Sequence, residues 1–378
     1  MSSMTENREV SARRGAPGPY LSGIAHVVAL ELKQRLRSRG WYIMLAIWFA
    51  LTGLVTWLTW ASWSASNAFQ TRDFGGVSGT ALTGPGSLIF EVVLAFVLLF
   101  ALLVAPALSA NAVNGDRAGG TLAILQVTLL EPGQILWGKF FAAWAAALAF
   151  LVASTPFLVI GVALGGLTPA YILVSLVMLA VEVGIVCAIG VGISALAGRP
   201  LFSIVVTYLA VAGLVVGTLI SFGLGTGLTQ GTVMANNPQY RAYAPLQSDP
   251  VDAGYTCAGP LREQSAMHTE RVAWTLAMNP FVVVADAIPY PDRTVRQNFT
   301  SIGAIEGISQ AARQAMAGPD GTVACANGKV QPTYLGQKTP LWPLGLGLQL
   351  VLSGFLMWLG WRSLRTPARK LARGTRIA

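Results

Sequence analysis

"NAVNGDRAGGTLAILQVTLLEPGQILWGKF", residues 111–140, separates two long apolar runs. Gly133, Gly138 and Lys139 in it fit G-x-x-x-x-G-K, the opening of a phosphate-binding loop. Such a loop follows a buried strand, opens a helix and ends in Lys-Ser or Lys-Thr, so that a hydroxyl can reach magnesium. Here Phe140 stands in the hydroxyl's place, no strand precedes, and an apolar run follows at once. The residues between the glycines, "QILW", are bulky and apolar, unlike a turn that aims N–H groups at phosphate. A nucleotide site is therefore rejected. What remains is a short helix: Thr121 suits an N-cap after Gly119 and Gly120, and Leu122, Leu125 and Leu129 recur at helical spacing. Glu131-Pro132-Gly133 then breaks the pattern. An apolar, nearly uncharged helix held outside a membrane needs a cover, because exposed apolar patches mark docking sites.

Working outward, 54% of the 378 residues are hydrophobic and 11% charged, against about 25% charged in an average soluble domain. An integral membrane protein follows. A spanning helix needs about 20 mostly apolar residues. Six runs qualify, near 41–62, 87–109, 140–162, 170–196, 201–222 and 341–361. Trp41, Trp60, Trp63, Trp342 and Trp361 stand near run ends, as interfacial aromatics do. Small residues recur in "GIVCAIGVGISALAG" on the fourth run, which suits close helix contact in lipid. The fold class read here is an all-α integral membrane protein of six transmembrane helices.

Lysine and arginine set the orientation. Lys33, Arg35, Arg37 and Arg39 precede the first run; Arg362, Arg365, Arg369, Lys370, Arg373 and Arg376 follow the last. Both termini are thus expected in the cytoplasm, in a multi-pass protein of the cytoplasmic membrane. The net charge of +9 reads as positive-inside bias with attraction to membrane lipids, and no nucleic acid is invoked. The expected organisation is a disordered stretch at 1–19, an amphipathic interfacial helix at 20–40, spans one to five over 41–222 with a cytoplasmic coupling helix at 111–138, an extracytoplasmic domain at 223–340, the sixth span at 341–361 and a basic tail at 362–378. In the interfacial helix Leu21, Ile24, Val28, Leu32 and Leu36 share one face, Glu31 can pair with Arg35, and Gly40 permits a bend into the first span.

The three cysteines and two histidines show no zinc spacing and no nucleophile pair, so no metal, cofactor or catalytic residue is expected in this chain. Cys257 and Cys325 fall in the outward segment, where a disulfide can persist. Cys187 lies in the fourth run as a packing residue. Asn298-Phe-Thr matches a glycosylation acceptor. Glu182 and Glu91 lie within spans and are candidate functional carboxylates, since intramembrane charge is costly; Glu91, near the outer end, reads as interfacial. Lys139 reads as snorkelling to the headgroups.

Taken together, Asp116-Arg117, Gly120-Thr121-Leu122, Glu131-Pro132-Gly133 and Gly138-Lys139, with "VAPALSA" before them and "MNPF" at residues 278–281, resemble the ABC type-2 transporter permeases. Departures are Ala118 and Ala123 where that family often carries acids, a shifted turn proline and a longer outward segment. The resemblance implies a permease subunit of an ATP-driven exporter. A separate cytoplasmic ABC ATPase, holding ATP and magnesium, would dock around Asp116, Arg117, Gly120, Thr121, Leu122, Leu125 and Leu129. A second permease, identical or related, would complete the pathway, and an extracytoplasmic partner is a further option. The apolar pathway suits a lipid, lipid-linked glycan, hydrophobic drug or peptide without choosing among them. A secondary transporter would show repeats and broken spans at matching positions; Pro106 and Pro156 lie in or near spans, but no repeat is legible. A membrane-anchored sensor built on 223–340 would need fewer spans.

Overall fold

The computed structural model describes residues 17–73, 85–120, 131–165, 167, 169–240, 255–290, 303–332 and 336–365. Among them, six helices are long and apolar enough to cross a membrane. The chain begins with α1 (Pro17–Arg37), followed after a break at Ser38 by the first span, α2 (Arg39–Asp73). The bend expected at Gly40 thus falls two residues earlier, and Gly40 lies inside α2. The second span is α3 (Pro85–Ser109), followed by the short α4 (Asn114–Ala118). The third and fourth spans are α5 (Pro132–Gly165) and α6 (Pro169–Leu196). The fifth is α7 (Pro200–Ala212), continued through a π turn at Gly213–Gly217 into α8 (Thr218–Leu228).

Four of these span helices open on proline, at Pro85, Pro132, Pro169 and Pro200. Proline's fixed φ suits the first helical turn, and its missing N–H would have no intrahelical acceptor there. This explains a difference from the sequence reading. Glu131-Pro132-Gly133 does not turn the chain before a span that starts at Phe140; Pro132 is itself the start of the third-span helix. Residues 132–138, expected as the end of the coupling segment, are thus the first turns of the third-span helix.

The fourth span lies at the centre, with Val183, Val186, Cys187, Ile189 and Val191 all buried. Its glycines permit close contact on two sides: a Cβ on Gly190 would stand 2.9 Å from the Ser109 Cβ, and one on Gly192 2.8 Å from the Leu356 backbone. The first span leans on this core through Trp48, which is stacked on Phe96 and donates its indole N–H to the Phe150 carbonyl and the Ser154 hydroxyl at 3.0 and 2.9 Å. Trp41, expected at the interface, is instead buried with its ring edge-on to Phe150.

The fifth-span helix runs six residues past the expected end at 222, to Leu228. An antiparallel ribbon follows, β1 (Gln230–Tyr240) with β2 (Tyr255–Met267), in register from Gln230↔Met267 to Tyr240↔Tyr255 with a bulge between Ala235 and Asn237. This ribbon is the exception in a mostly helical chain. Then come α9 (Ala273–Ala277), α10 (Pro280–Ala287), α11 (Ala304–Ala317), α12 (Pro319–Thr322) and the sixth span, α13 (Trp342–Arg365). Val283, Val284, Ala285, Ile288 and Ile305 share one hydrophobic core with the second, third and fourth spans. The helical part of the segment between the fifth and sixth spans thus packs onto the spans and does not stand apart from them. Cys257 and Cys325 are joined in a disulfide with Cα atoms 5.6 Å apart, tying the ribbon to the stretch after α12.

Candidate functional site

At the end of the bundle where α1, α4, α5 and α13 meet, the apparent phosphate loop proves to be a helix-to-helix contact. Gly138 faces α1 so closely that a Cβ there would stand 2.6 Å from that of Val27. One residue on, Lys139 is 3% exposed and lies 2.5 Å from both Glu31 Oε1 of α1 and Asp116 Oδ2 of α4. A lysine that snorkels would keep its ammonium in water; this one is enclosed by two carboxylates, which corrects the headgroup reading. The expected Glu31–Arg35 pairing also changes. Glu31 faces Lys139, and Arg35 reaches inward to the Leu108 carbonyl at 3.2 Å. Burial draws the Arg35 pKa below the ordinary arginine value, with Glu31 opposing. The inward face of α1 is therefore Gly23, Val27 and the polar pair, whereas Leu21 and Leu36 are exposed.

Arg117 is also engaged inside the chain. It donates to the carbonyls of Ala197 and Ala195 at 2.7 and 3.4 Å. These carbonyls lie at the end of α6, where the last helical C=O groups have no intrahelical partner. Ser194 Oγ in return accepts from Val113 N and Asn114 N, both at 3.1 Å, and Ser203 Oγ donates to Ala110 O at 2.6 Å. Asp116 and Arg117 thus fasten α4 between the third and fourth spans. Gly120 follows with a φ of 72°, a left-handed conformation that favours glycine. Thr121, Leu122, Leu125 and Leu129 lie outside the described residues. Downstream, the Gln134 carboxamide accepts from Glu131 N at 2.8 Å and donates to Tyr20 O at 3.2 Å, so the chain is held again. Burial, then the nearby Glu131, raises the Tyr20 pKa.

Deeper in the bundle a chain of polar groups links four elements. Asn279 of "MNPF" caps α10 by accepting from Phe281 N at 2.9 Å. Its Nδ2 donates to Val215 O and Thr218 Oγ1 at 2.8 and 3.0 Å. Val215 sits in the π turn of the fifth span, where the i→i+4 ladder is interrupted. The neighbouring Met278 carbonyl accepts from Gln349 Nε2 of the sixth span at 3.0 Å. Gln349 in turn lies against Glu182 of the fourth span. Glu182 is fully buried, and neither of its oxygens meets a described donor in hydrogen-bond geometry.

Glu91 does not join Glu182. Its carboxylate meets the first turn of α11 and accepts from Ile305 N at 3.2 Å. A carboxylate there satisfies free N–H groups and complements the helix dipole. Glu91 keeps partial exposure and has a protein partner in α11. Asp286 plays the matching part on α10. It accepts from Ser309 Oγ at 2.9 Å and Arg313 Nε at 2.5 Å, and from the backbone N–H groups of Leu341 and Trp342 at 2.5 and 2.9 Å. One buried carboxylate thereby joins α11 to the head of the sixth span. Burial and the carboxylates of Glu91 and Glu306 push the pKa of nearby Tyr290 well up. Asn279 was legible as an N-cap before a proline; nothing local marks Asp286. Asn298 lies outside the described residues, and no group of His, Cys, Asp and Glu among those described has the makings of a metal site.

No curated protein matches the chain. The family model described as "ABC-2 family transporter protein" matches residues 25–301, which takes in most of α1, the first five spans and the Asn279 node. On that match, together with its six-span fold, the chain belongs to the ABC-2 transporter family of membrane permeases.

Proposed function

We propose that the chain is the permease subunit of an ATP-driven exporter, worked by a separate ATPase that grips residues 121–130. The carrying observation is that both flanks of this apolar stretch are fixed. Arg117 and Asp116 hold one end against the third and fourth spans; Gln134 holds the other against α1. Force applied to a stretch anchored this way passes directly into α1 and the third, fourth and fifth spans. Lys139 then makes α1 and α4 move as one body. Arg35, Arg117, Lys139, Arg199, Arg362 and Arg365 cluster at the span ends on this side, which supports a cytoplasmic orientation. The first span is the least covered of the six, leaving lateral surface for a second permease. ATP and magnesium would bind the partner ATPase, not this chain.

Affinity purification of the tagged chain from its own membranes provides the test. An ATPase should co-purify, with ATP hydrolysis in the complex. The Leu122→Asp/Leu125→Asp variant should reach the membrane and lose that partner, since burying an unpaired carboxylate in an apolar contact is costly. A complex without ATPase, or transport driven by an ion gradient alone, would overturn the reading.

A further inference from the structure

Between the third, fourth and sixth spans, at the end near the chain termini, lies a groove of about 630 Å³. That volume is in the range of small-molecule sites. Its wall is aromatic, with Trp137, Phe140, Trp144, Trp358 and Trp361. Trp137, Leu350 and Trp358 are exposed at its rim, so within a bilayer the groove adjoins acyl chains. Its end near the termini is polar. Beside Gly133 the Tyr20 hydroxyl and the Trp361 indole nitrogen converge, 2.6 and 3.4 Å from where a Cβ would stand.

Over this end stand two guanidinium groups. Arg365 lies 4.4 Å from the ring centre of Trp361 and Arg362 5.7 Å from that of Trp358. Both arginines are exposed, and among the described residues neither meets a carboxylate. A guanidinium stacked on a ring keeps its N–H edge free for phosphate. A second copy of the chain is a poor occupant: it would bring its own basic end, Arg362 to Arg376 without an acid, against the same charges.

We propose that this groove holds one anionic phospholipid from the leaflet on the termini side, with an acyl chain along the tryptophans and the phosphate on Arg362 and Arg365. The lipid sits between spans that would move against each other in a transport cycle. The site is independent of where an ATPase docks.

Native mass spectrometry of the full chain in nonionic detergent, titrated with dioleoyl phosphatidylglycerol or dioleoyl phosphatidylcholine, tests this. The wild type should retain one phosphatidylglycerol at least about tenfold more tightly than phosphatidylcholine, the effect of two basic residues at the headgroup. Arg362→Gln/Arg365→Gln, which alters only exposed side chains, should abolish the preference. Gly354→Trp should weaken both lipids, because nothing lies within 4 Å of a Cβ at that position and an indole would occupy the groove. Equal retention of both lipids by the wild type, a preference that survives the arginine substitutions, or undiminished binding to a well-folded Gly354→Trp protein would overturn the proposal. So would disulfide cross-linking of two Gly354→Cys chains in membranes, which would place a second copy at the groove.

Discussion

Replacing Lys139 with Met asks whether its ammonium joins α1 to α4 or anchors at the membrane surface. The substitution keeps length and apolar stem but removes the cation from between Glu31 and Asp116, whose side chains are 21% and 26% exposed. Removing one partner of a buried ion pair costs about 3–5 kcal/mol, because the remaining charge is uncompensated. Here two carboxylates are left facing each other, but both keep some water, so the low end applies, about 3 kcal/mol. At roughly 1.3 °C per kcal/mol for a chain of this size, the midpoint of thermal unfolding in detergent should fall by about 4 °C. Glu31→Gln leaves the Lys139–Asp116 pair intact and should cost only about 1 kcal/mol. In Glu31→Gln/Lys139→Met one unpaired charge is gone, so the double variant should be more stable than Lys139→Met alone, a non-additivity expected of groups in contact. A headgroup lysine would give a nearly neutral Lys139→Met. That result, or a Glu31→Gln loss as large as that of Lys139→Met, would refute the reasoning.

Cys257→Ser/Cys325→Ser opens a cross-link spanning 68 residues; chain entropy gives a loss of up to about 4 kcal/mol, to be read as a lower unfolding midpoint that reductant no longer changes. Asp286→Asn should cost about 3 kcal/mol by stranding Arg313 and weakening the cap on the sixth span, and Arg313→Met on that background should add little in a thermal double-mutant cycle. Asn279→Ala should cost about 2 kcal/mol, since it loses an N-cap and leaves the Val215 carbonyl unpaired. Asn279→Asp should restore the cap but not the donor, and amide exchange at the fifth-span π turn should rise in both.

Lys139 marks the boundary between what local reading reaches and what it does not. Span number and type were legible because apolar runs of bilayer length admit few other structures. The family emerged from motif order together with the six-span topology. Polar partners were not legible. Lys139 looks like an interfacial lysine at the head of an apolar run, and its carboxylates lie 23 and 108 residues away along the chain. Nothing near Glu91 in the chain marks its partner, the first turn of α11, 214 residues away. Asp286 has no local signature, since its role consists of groups drawn from α11 and α13.

The sequence by itself determined that this chain crosses a membrane six times, which segments do so, and that the P-loop likeness was false. These depend on hydrophobicity and backbone geometry, and both act over a few helical turns. Tertiary structure alone decided which charges meet, where the third span begins to carry contacts, and what the segment between the fifth and sixth spans packs against. A buried charge takes whatever partner the helix crossings bring within a few ångströms, and those crossings depend on small residues such as Gly138 and Gly192 acting across distant parts of the chain.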